Sequence, residues 1–406
     1  MRGNLVVGQS GGPTAVINNS LVGIIHEAMK YEDVGGIYGM LHGIVGVLNE
    51  DFVDLRKESE ETLEMLRHTP ASALGTVRYK VTAEDYDRLI EVLQAYNIRY
   101  FFYIGGNDSM DTTHKIHLAA QEKGYELLAV GVPKTIDNDL VKTDHCPGYG
   151  SAARFVASAI RNTGRDTEAM GESGPLKLME IMGRNAGWLT ASAALAKQEP
   201  KDPPHLIYLP ERGRSLEQIV EDVEETYEKY GSCVIAVSEG FRDDEGREFG
   251  TLGDSFETDA FGHKRKGGVA STLTNALKRH LDMLPRFDKP GYLHRSFGEL
   301  MSPVDREEAY RVGRAAVRAA MAGETDQMVN LVRQPGPGYE VETGLVDLDE
   351  VANKERLMPD AFINEEGNGV TEAFLDYARP LIGPPLTPYA RLEKHPVPKR
   401  SKVTSS

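Results

Sequence analysis

The sequence predicts an α/β protein with mostly parallel sheets, and three observations predict it. Strand-like apolar runs at 5–7, 36–40, 100–104, 127–132, 176–181, 206–209 and 233–237 alternate with helical patterns, the signature of strands joined by crossover helices. Three of these runs end in glycine-rich or acid-rich junctions carrying anion-binding or acid/base residues. The third observation is length: 406 residues suit two α/β lobes, each with its own core, better than one very large domain.

Taken in chain order, Leu5-Val6-Val7 reads as the first strand and Gly11-Gly12-Pro13 as a turn with Pro at the first helical position. Ile17, Leu21, Ile24, Ile25 and Ala28 then make one apolar helix face. Thr82 with Asp85 three residues on has the pattern of a capping box, followed by an apolar face of Tyr86, Leu89, Ile90, Leu93 and Tyr96. Gly105-Gly106-Asn107-Asp108-Ser109 precedes a helical stretch that ends near Gly124. Its glycines let the backbone approach an anion, and the helix start offers free N–H groups and a positive dipole end.

The next junction, Pro133-Lys134-Thr135-Ile136-Asp137-Asn138-Asp139, places one cation, one hydroxyl and two acids directly after a strand. That is equipment for moving a phosphoryl group: an Asp takes a hydroxyl proton, a neighbouring carboxylate holds a metal, and a Lys neutralises charge. Asn and Asp are also ordinary turn formers. Three such junctions in one region are harder to assign to turns alone, because open α/β sheets bind ligands at the carboxyl ends of their strands.

Further on, Leu216, Ile219, Val220, Val223 and Tyr227 face inward on a helix closed by Gly231, its many Glu residues forming a solvated face. Residues 243–266 are polar and Gly-rich, the composition of an extended loop or hairpin insertion. Past Pro335 come Pro384-Pro385 and a basic, Ser-ending tail from Lys394, whose tip is expected to be disordered.

A formal charge of −16, from 62 acidic and 46 basic residues, argues against a nucleic-acid or anionic-membrane partner and predicts basic residues concentrated in one pocket. Cys146 and Cys233 are the only cysteines, so neither a disulfide framework nor a zinc site is indicated, and a cytoplasmic location is expected. No signal-peptide pattern or membrane-length apolar run is evident.

Ser10-Gly11-Gly12, Gly75-Thr76-Val77-Arg78, Gly105-Gly106-Asn107-Asp108-Ser109, Lys134-Thr135-Ile136-Asp137-Asn138-Asp139, Met182-Gly183-Arg184, Leu209-Pro210-Glu211 and Gly291-Tyr292-Leu293-His294-Arg295 occur in this order. In these blocks the chain resembles the phosphofructokinase family, from about Asn4 to roughly Gly323, with an interruption before Arg286. The resemblance implies two Rossmann-like lobes with the active site in the interlobe cleft. Residues 1–148 plus about 295–350 would bind the donor, 149–294 the sugar phosphate, and about 351–406 would form a C-terminal extension.

By the same resemblance, Asp137 is the base that takes the proton from the sugar 1-hydroxyl. Thr135 hydrogen-bonds the transferred group, and Asp139 orients or binds Mg2+. Gly11, Gly12, Gly106, Asn107, Asp108 and Ser109 line the donor site, with Arg78 on the donor phosphates. Asn107 stands where the family usually has Asp, so it is assigned to the metal either directly or through water. Met182, Gly183, Arg184 and Glu211 match positions that hold the sugar hydroxyls, and Tyr292 and Arg295 match those that hold its 6-phosphate. Arg286 matches a residue that reaches in from a neighbouring subunit, which implies a homodimer or homotetramer. A second such Arg is absent, since Pro175 is there, with Lys177 nearby as a substitute.

Family members that use ATP resemble each other in having Gly at the position of Asp108 and usually at that of Lys134. Those that use pyrophosphate resemble this chain at both. A carboxylate at Asp108 would repel a nucleotide α-phosphate, and Lys134 would supply charge to a small donor without adenosine contacts. Helix capping is the alternative role for Asp108. The expected reaction is reversible phosphoryl transfer from pyrophosphate to fructose 6-phosphate. An ATP-dependent enzyme and a non-catalytic sugar-phosphate-binding subunit are the rivals.

Overall fold

The protein is described by a computed structural model covering residues 1–251, 257–258, 264–265 and 268–400. Strands buried on both faces read as near-continuous apolar runs, and two sheets of this kind organise the chain. The first has seven strands: β1 (Gly3–Gln9), β2 (Val34–Met40), β3 (Phe52–Asp54), β4 (Ile98–Gly105), β5 (Leu128–Pro133), β12 (Gln327–Arg333) and β13 (Val341–Asp347). The second has four: β6 (Leu176–Ile181), β7 (Leu206–Tyr208), β8 (Cys233–Ser238) and β11 (Pro285–Asp288). Between β8 and β11, the antiparallel pair β9 (Glu257–Thr258) and β10 (Lys264–Arg265) gives the 243–266 segment a hairpin.

The first sheet runs β13-β12-β5-β4-β1-β2-β3, parallel except for its outermost strands β3 and β13. From β1 the chain adds β2 on one side and later β4 on the other. The order reverses between β1 and β4, and ligands bind at such a point because the loops leaving the two strands splay apart. Helices Ile17–Ala28 and Pro303–Met321 cover one face; Asp85–Ala95 and Asn107–Glu122 cover the other. The first pair crosses closely, since a Cβ on Gly23 would lie 2.3 Å from the Tyr310 carbonyl oxygen and one on Gly313 would lie 2.1 Å from that of Ser20.

The second sheet runs β11-β6-β8-β7, all parallel. Helices Leu216–Tyr230 and Val269–His280 pack on one face. Helix Tyr149–Met170 packs on the other, together with Met358, Ile363, Phe374, Ala378, Leu381 and Ile382 from the C-terminal segment. That segment is therefore part of the second core. It continues outward to Tyr389, whose ring lies under Arg161, and to Arg391, which pairs with Glu168 and Asp202. The tip expected to be disordered, 401–406, lies outside the described residues.

Two local expectations are corrected. The first helix starts at Ile17, not at Pro13: side chains hold the intervening loop instead, with Thr76 Oγ1 donating to the Gly11 carbonyl (2.7 Å) and Lys134 Nζ to that of Gly12 (2.9 Å). The Thr82 capping box is half formed. The Asp85 carboxylate accepts from the Thr82 N–H (2.7 Å), but the Thr82 hydroxyl also donates to it (2.9 Å) rather than accepting from the helix, because a charged acceptor is the stronger partner.

Candidate active site

The loops leaving β1, β4 and β5 meet at the switch point of the first sheet. The Lys134 amide donates to the Gly105 carbonyl (3.0 Å) and that of Ser10 to Ile104 (2.9 Å), which ties the three junctions together. Gly11 adopts φ +72°, a conformation that favours glycine, with its Cα side facing Lys134 Nζ. The Arg295 head lies against Gly12, where a Cβ would sit 2.3 Å from Nη1 and would displace it. Gly106 leads into the helix Asn107–Glu122, and Ser109 is buried against Gly105.

Lys134 is buried in this cluster and Asp137 is half-buried. Burial pushes the Asp137 carboxyl up to about 7, helped by Asp139 and Glu239 and opposed by Lys134 and Arg295. Burial pulls Lys134 down to about 8, opposed chiefly by Asp137. An acid and an amine with pKa values drawn toward neutrality are the condition for a general base beside a charge-stabilising cation. The Thr135 hydroxyl accepts from the Asp137 amide (3.0 Å) and bonds the Asp139 carboxylate, whose pKa is raised by burial.

Arg295 acts on both members of this pair and Arg78 acts on Arg295, and neither arginine has a salt-bridge partner among the described residues. Arg78 is exposed in the irregular stretch before helix Asp85–Ala95 and lies within electrostatic reach of Arg295. Arg295 lies over the Tyr292 ring at 4.6 Å, while Tyr292 itself is 66% exposed. Arg295 thus stands beside Gly12, against the loop that follows β1. The Asp108 carboxylate, in the first turn of its helix, is exposed and has no hydrogen-bond or ion-pair partner among the described residues, so capping does not account for it.

At the second sheet, Gly183 follows β6 at φ +118° and its carbonyl accepts from Ser238 Oγ (2.5 Å). Met182 is half-buried and Arg184 exposed. Glu211 is half-buried: Oε1 accepts from the Gly187 (2.8 Å) and Met358 (3.0 Å) amides, and Oε2 is buried with no partner among the described residues. The carboxylate that faces Asp137 is Glu239, one residue past β8. Sequence inspection missed it, although Ser238-Glu239-Gly240 directly after a strand has the layout of the other junctions. Arg286 lies on edge strand β11, with Nη1 on Asp166 (3.1 Å), beside Lys177, which pairs with Asp288 (2.7 Å).

For a divalent cation the donors fit. Asn107 Oδ1 is buried with no partner among the described residues, and Asp139 is a half-buried carboxylate close enough to Asp137 to raise its pKa. A cation would satisfy the first and relieve the second. Mg2+ needs only one or two protein oxygens when phosphates supply the rest.

A phosphofructokinase sequence profile matches residues 4–320. The chain belongs to the phosphofructokinase family. Among its relatives is the pyrophosphate–fructose 6-phosphate 1-phosphotransferase of Rhodospirillum rubrum, 44% identical over 403 residues that cover 98% of each chain. The enzyme of the same name from Halomonas elongata is 42% identical over 412 residues, again 98% of each. The crystal structure of a pyrophosphate-dependent phosphofructokinase from Marinobacter aquaeolei matches with a TM-score of 0.86 at 37% identity, covering 99% of each chain. The phosphofructokinase fold is therefore the framework that holds the Asp137 cluster.

Proposed function

We propose that the chain transfers a phosphoryl group reversibly from inorganic pyrophosphate to the 1-hydroxyl of fructose 6-phosphate, giving fructose 1,6-bisphosphate and phosphate. The observation that carries this reading is the Asp137–Lys134 pair at the switch point, with Arg295 acting on both and Arg78 within electrostatic reach of Arg295. The full-length relatives named for this reaction agree with it.

In this reading the donor lies across Gly11, Gly12, Gly106 and Ser109, under Arg78 and Lys134, in the cleft between a donor lobe (1–148 and about 295–350) and a sugar lobe (149–294). Asp137 withdraws the proton of the 1-hydroxyl as its oxygen attacks phosphorus, and Lys134 and Arg78 hold the charge of the transferred group. The Thr135 hydroxyl bonds that group once it turns from Asp139. Met182, Gly183, Arg184 and Glu211 border the sugar, and Glu239 faces its hydroxyls from β8. Tyr292 and Arg295 take the 6-phosphate, an arginine being suited to gripping it by paired bonds. Asn107 and Asp139 would hold Mg2+, which when bound neutralises phosphate oxygens. The described helices include none long and apolar enough to cross a membrane, and the reaction is placed in the cytoplasm.

A homodimer or homotetramer completes the reading. Among the described residues β11 is an edge strand, and Leu284, Phe287, Tyr292 and Leu293 around it are exposed, an apolar margin of the kind interfaces cover. Arg286 would then serve the partner's sugar phosphate. Mixing Arg286→Ala with Asp137→Asn protein is expected to raise activity above either alone once subunits exchange, since hybrid sites regain both residues. A monomer by sedimentation overturns that role. The main proposal is tested by measuring fructose 1,6-bisphosphate formation with pyrophosphate against ATP. Preference for ATP defeats it.

A further inference from the structure

We propose that Arg356, in the C-terminal segment, is a positioning residue for the loop that carries Asp137, so that this segment belongs to the catalytic apparatus as well as to the core. The inference rests on Asp137 as the base.

A guanidinium offers five N–H donors in a fixed plane. Arg356 spends them on backbone carbonyls of one loop: Nε and Nη2 donate to Asn138 (3.2 and 2.8 Å), and Nη1 to Thr143 and Asp144 (both 2.7 Å). Its own amide donates to the Asp139 carbonyl (2.7 Å). Three carbonyls gathered around one guanidinium repel each other, and a delocalised cation with several donors satisfies them together. The loop needs such a clamp, because Asn138 sits at φ +56°, an uncommon conformation for a residue with a side chain. Tyr377 closes the other side, accepting from Asn138 Nδ2 (2.9 Å) and donating to the Asp144 carbonyl (2.8 Å).

The clamp is anchored to the sugar side. The guanidinium lies 4.5 Å from the Trp188 ring, whose indole N–H donates to the Arg356 carbonyl (3.0 Å). Two residues on, the Met358 amide shares Glu211 Oε1 with Gly187. One short stretch therefore fixes the base loop and the Gly187–Glu211 corner relative to each other. The leading charges on Asp137 are Asp139, Glu239, Lys134 and Arg295, and what Arg356 supplies is the placement of the loop's backbone. A base displaced by an ångström loses about 10²-fold in rate, while the glycine loops and Arg295 that bind substrates stay in place.

Trp188 is the chain's single tryptophan, which makes its fluorescence a reporter of the clamp. In the full-length protein, with whichever donor it uses, Arg356→Ala is expected to lower kcat about 10²-fold with both KM values within about threefold, and to shift Trp188 emission. Millimolar guanidinium chloride should recover at least about tenfold of the lost rate, where sodium chloride at equal ionic strength does not. A kcat within about threefold of wild type, a loss confined to KM, or a folded, slow variant that guanidinium leaves slow overturns the proposal. If Arg356→Ala does not fold, Arg356→Lys decides: full kcat overturns it, and lowered kcat at unchanged KM supports it. Normal turnover in Asp137→Asn removes the underlying base assignment, whereas normal turnover in Arg356→Ala beside an inactive Asp137→Asn removes only the clamp.

Discussion

Asp137→Asn is expected to bind both substrates and to turn over about 10²–10⁴-fold more slowly, a barrier rise of about 3–5 kcal/mol. The amide keeps the volume of the side chain and cannot accept the hydroxyl proton. The pH profile carries the same assignment. Asp137 acts as a base only when ionised, and burial has raised its pKa to about 7, so kcat/KM should climb with pH through that value. Lys134 must carry its proton to hold phosphate charge, and burial has lowered it to about 8, so the rate should fall again above that pH. A narrow bell between the two limbs is the result. Lys134→Met should abolish the alkaline limb and move the acid limb upward, because Lys134 opposes the rise of the Asp137 pKa. Ionisation of the substrates is common to both proteins and cancels in the comparison. An unchanged profile in Lys134→Met, or near-normal turnover in Asp137→Asn, removes these roles.

The parts of the fold that announce themselves in sequence are those buried on both faces. β1, β4, β5, β6 and β8 lie in the sheet interiors, and their continuous apolar runs had no other structure to form. Elsewhere the signal is broken. In β12 and β13 polar residues interrupt the apolar ones, as in Gln327-Met328-Val329-Asn330, and β3 and β11 are only three and four residues long, so no run marks them. At the site, glycine and acid signals located the junctions after β1, β4 and β5. They did not reveal that Arg295 reaches back to Gly12 or that Glu239 faces Asp137, since both approaches bring together residues more than one hundred positions apart. Arg356 was hidden for another reason. Its partners are backbone carbonyls, which carry no residue identity, and nothing around Glu355-Arg356-Leu357 separates a clamp from a surface arginine.

Donor choice should respond to Asp108 and Lys134 as separate groups acting on one ligand. Asp108 is exposed at the start of its helix, while Lys134 is buried and bonded to the Gly12 carbonyl, and no ion pair joins them. Asp108→Gly removes the charge and bulk that meet a nucleotide α-phosphate, so ATP binding should become measurable. Its turnover with ATP should stay poor, because Lys134 remains placed for a donor without a nucleoside, and pyrophosphate activity should fall. Lys134→Gly alone should injure pyrophosphate kcat more than KM if the amine serves mainly the transition state. It also leaves the Asp137 carboxyl without its strongest neighbouring cation, which costs the base its charge near neutral pH. Only the double substitution should favour ATP, and then modestly, since neither change supplies contacts to adenine or ribose. Measuring kcat/KM for both donors across the four proteins separates these effects. Electrostatic exclusion at Asp108 is wrong if the unmodified protein already prefers ATP, or if Asp108→Gly leaves ATP binding undetectable.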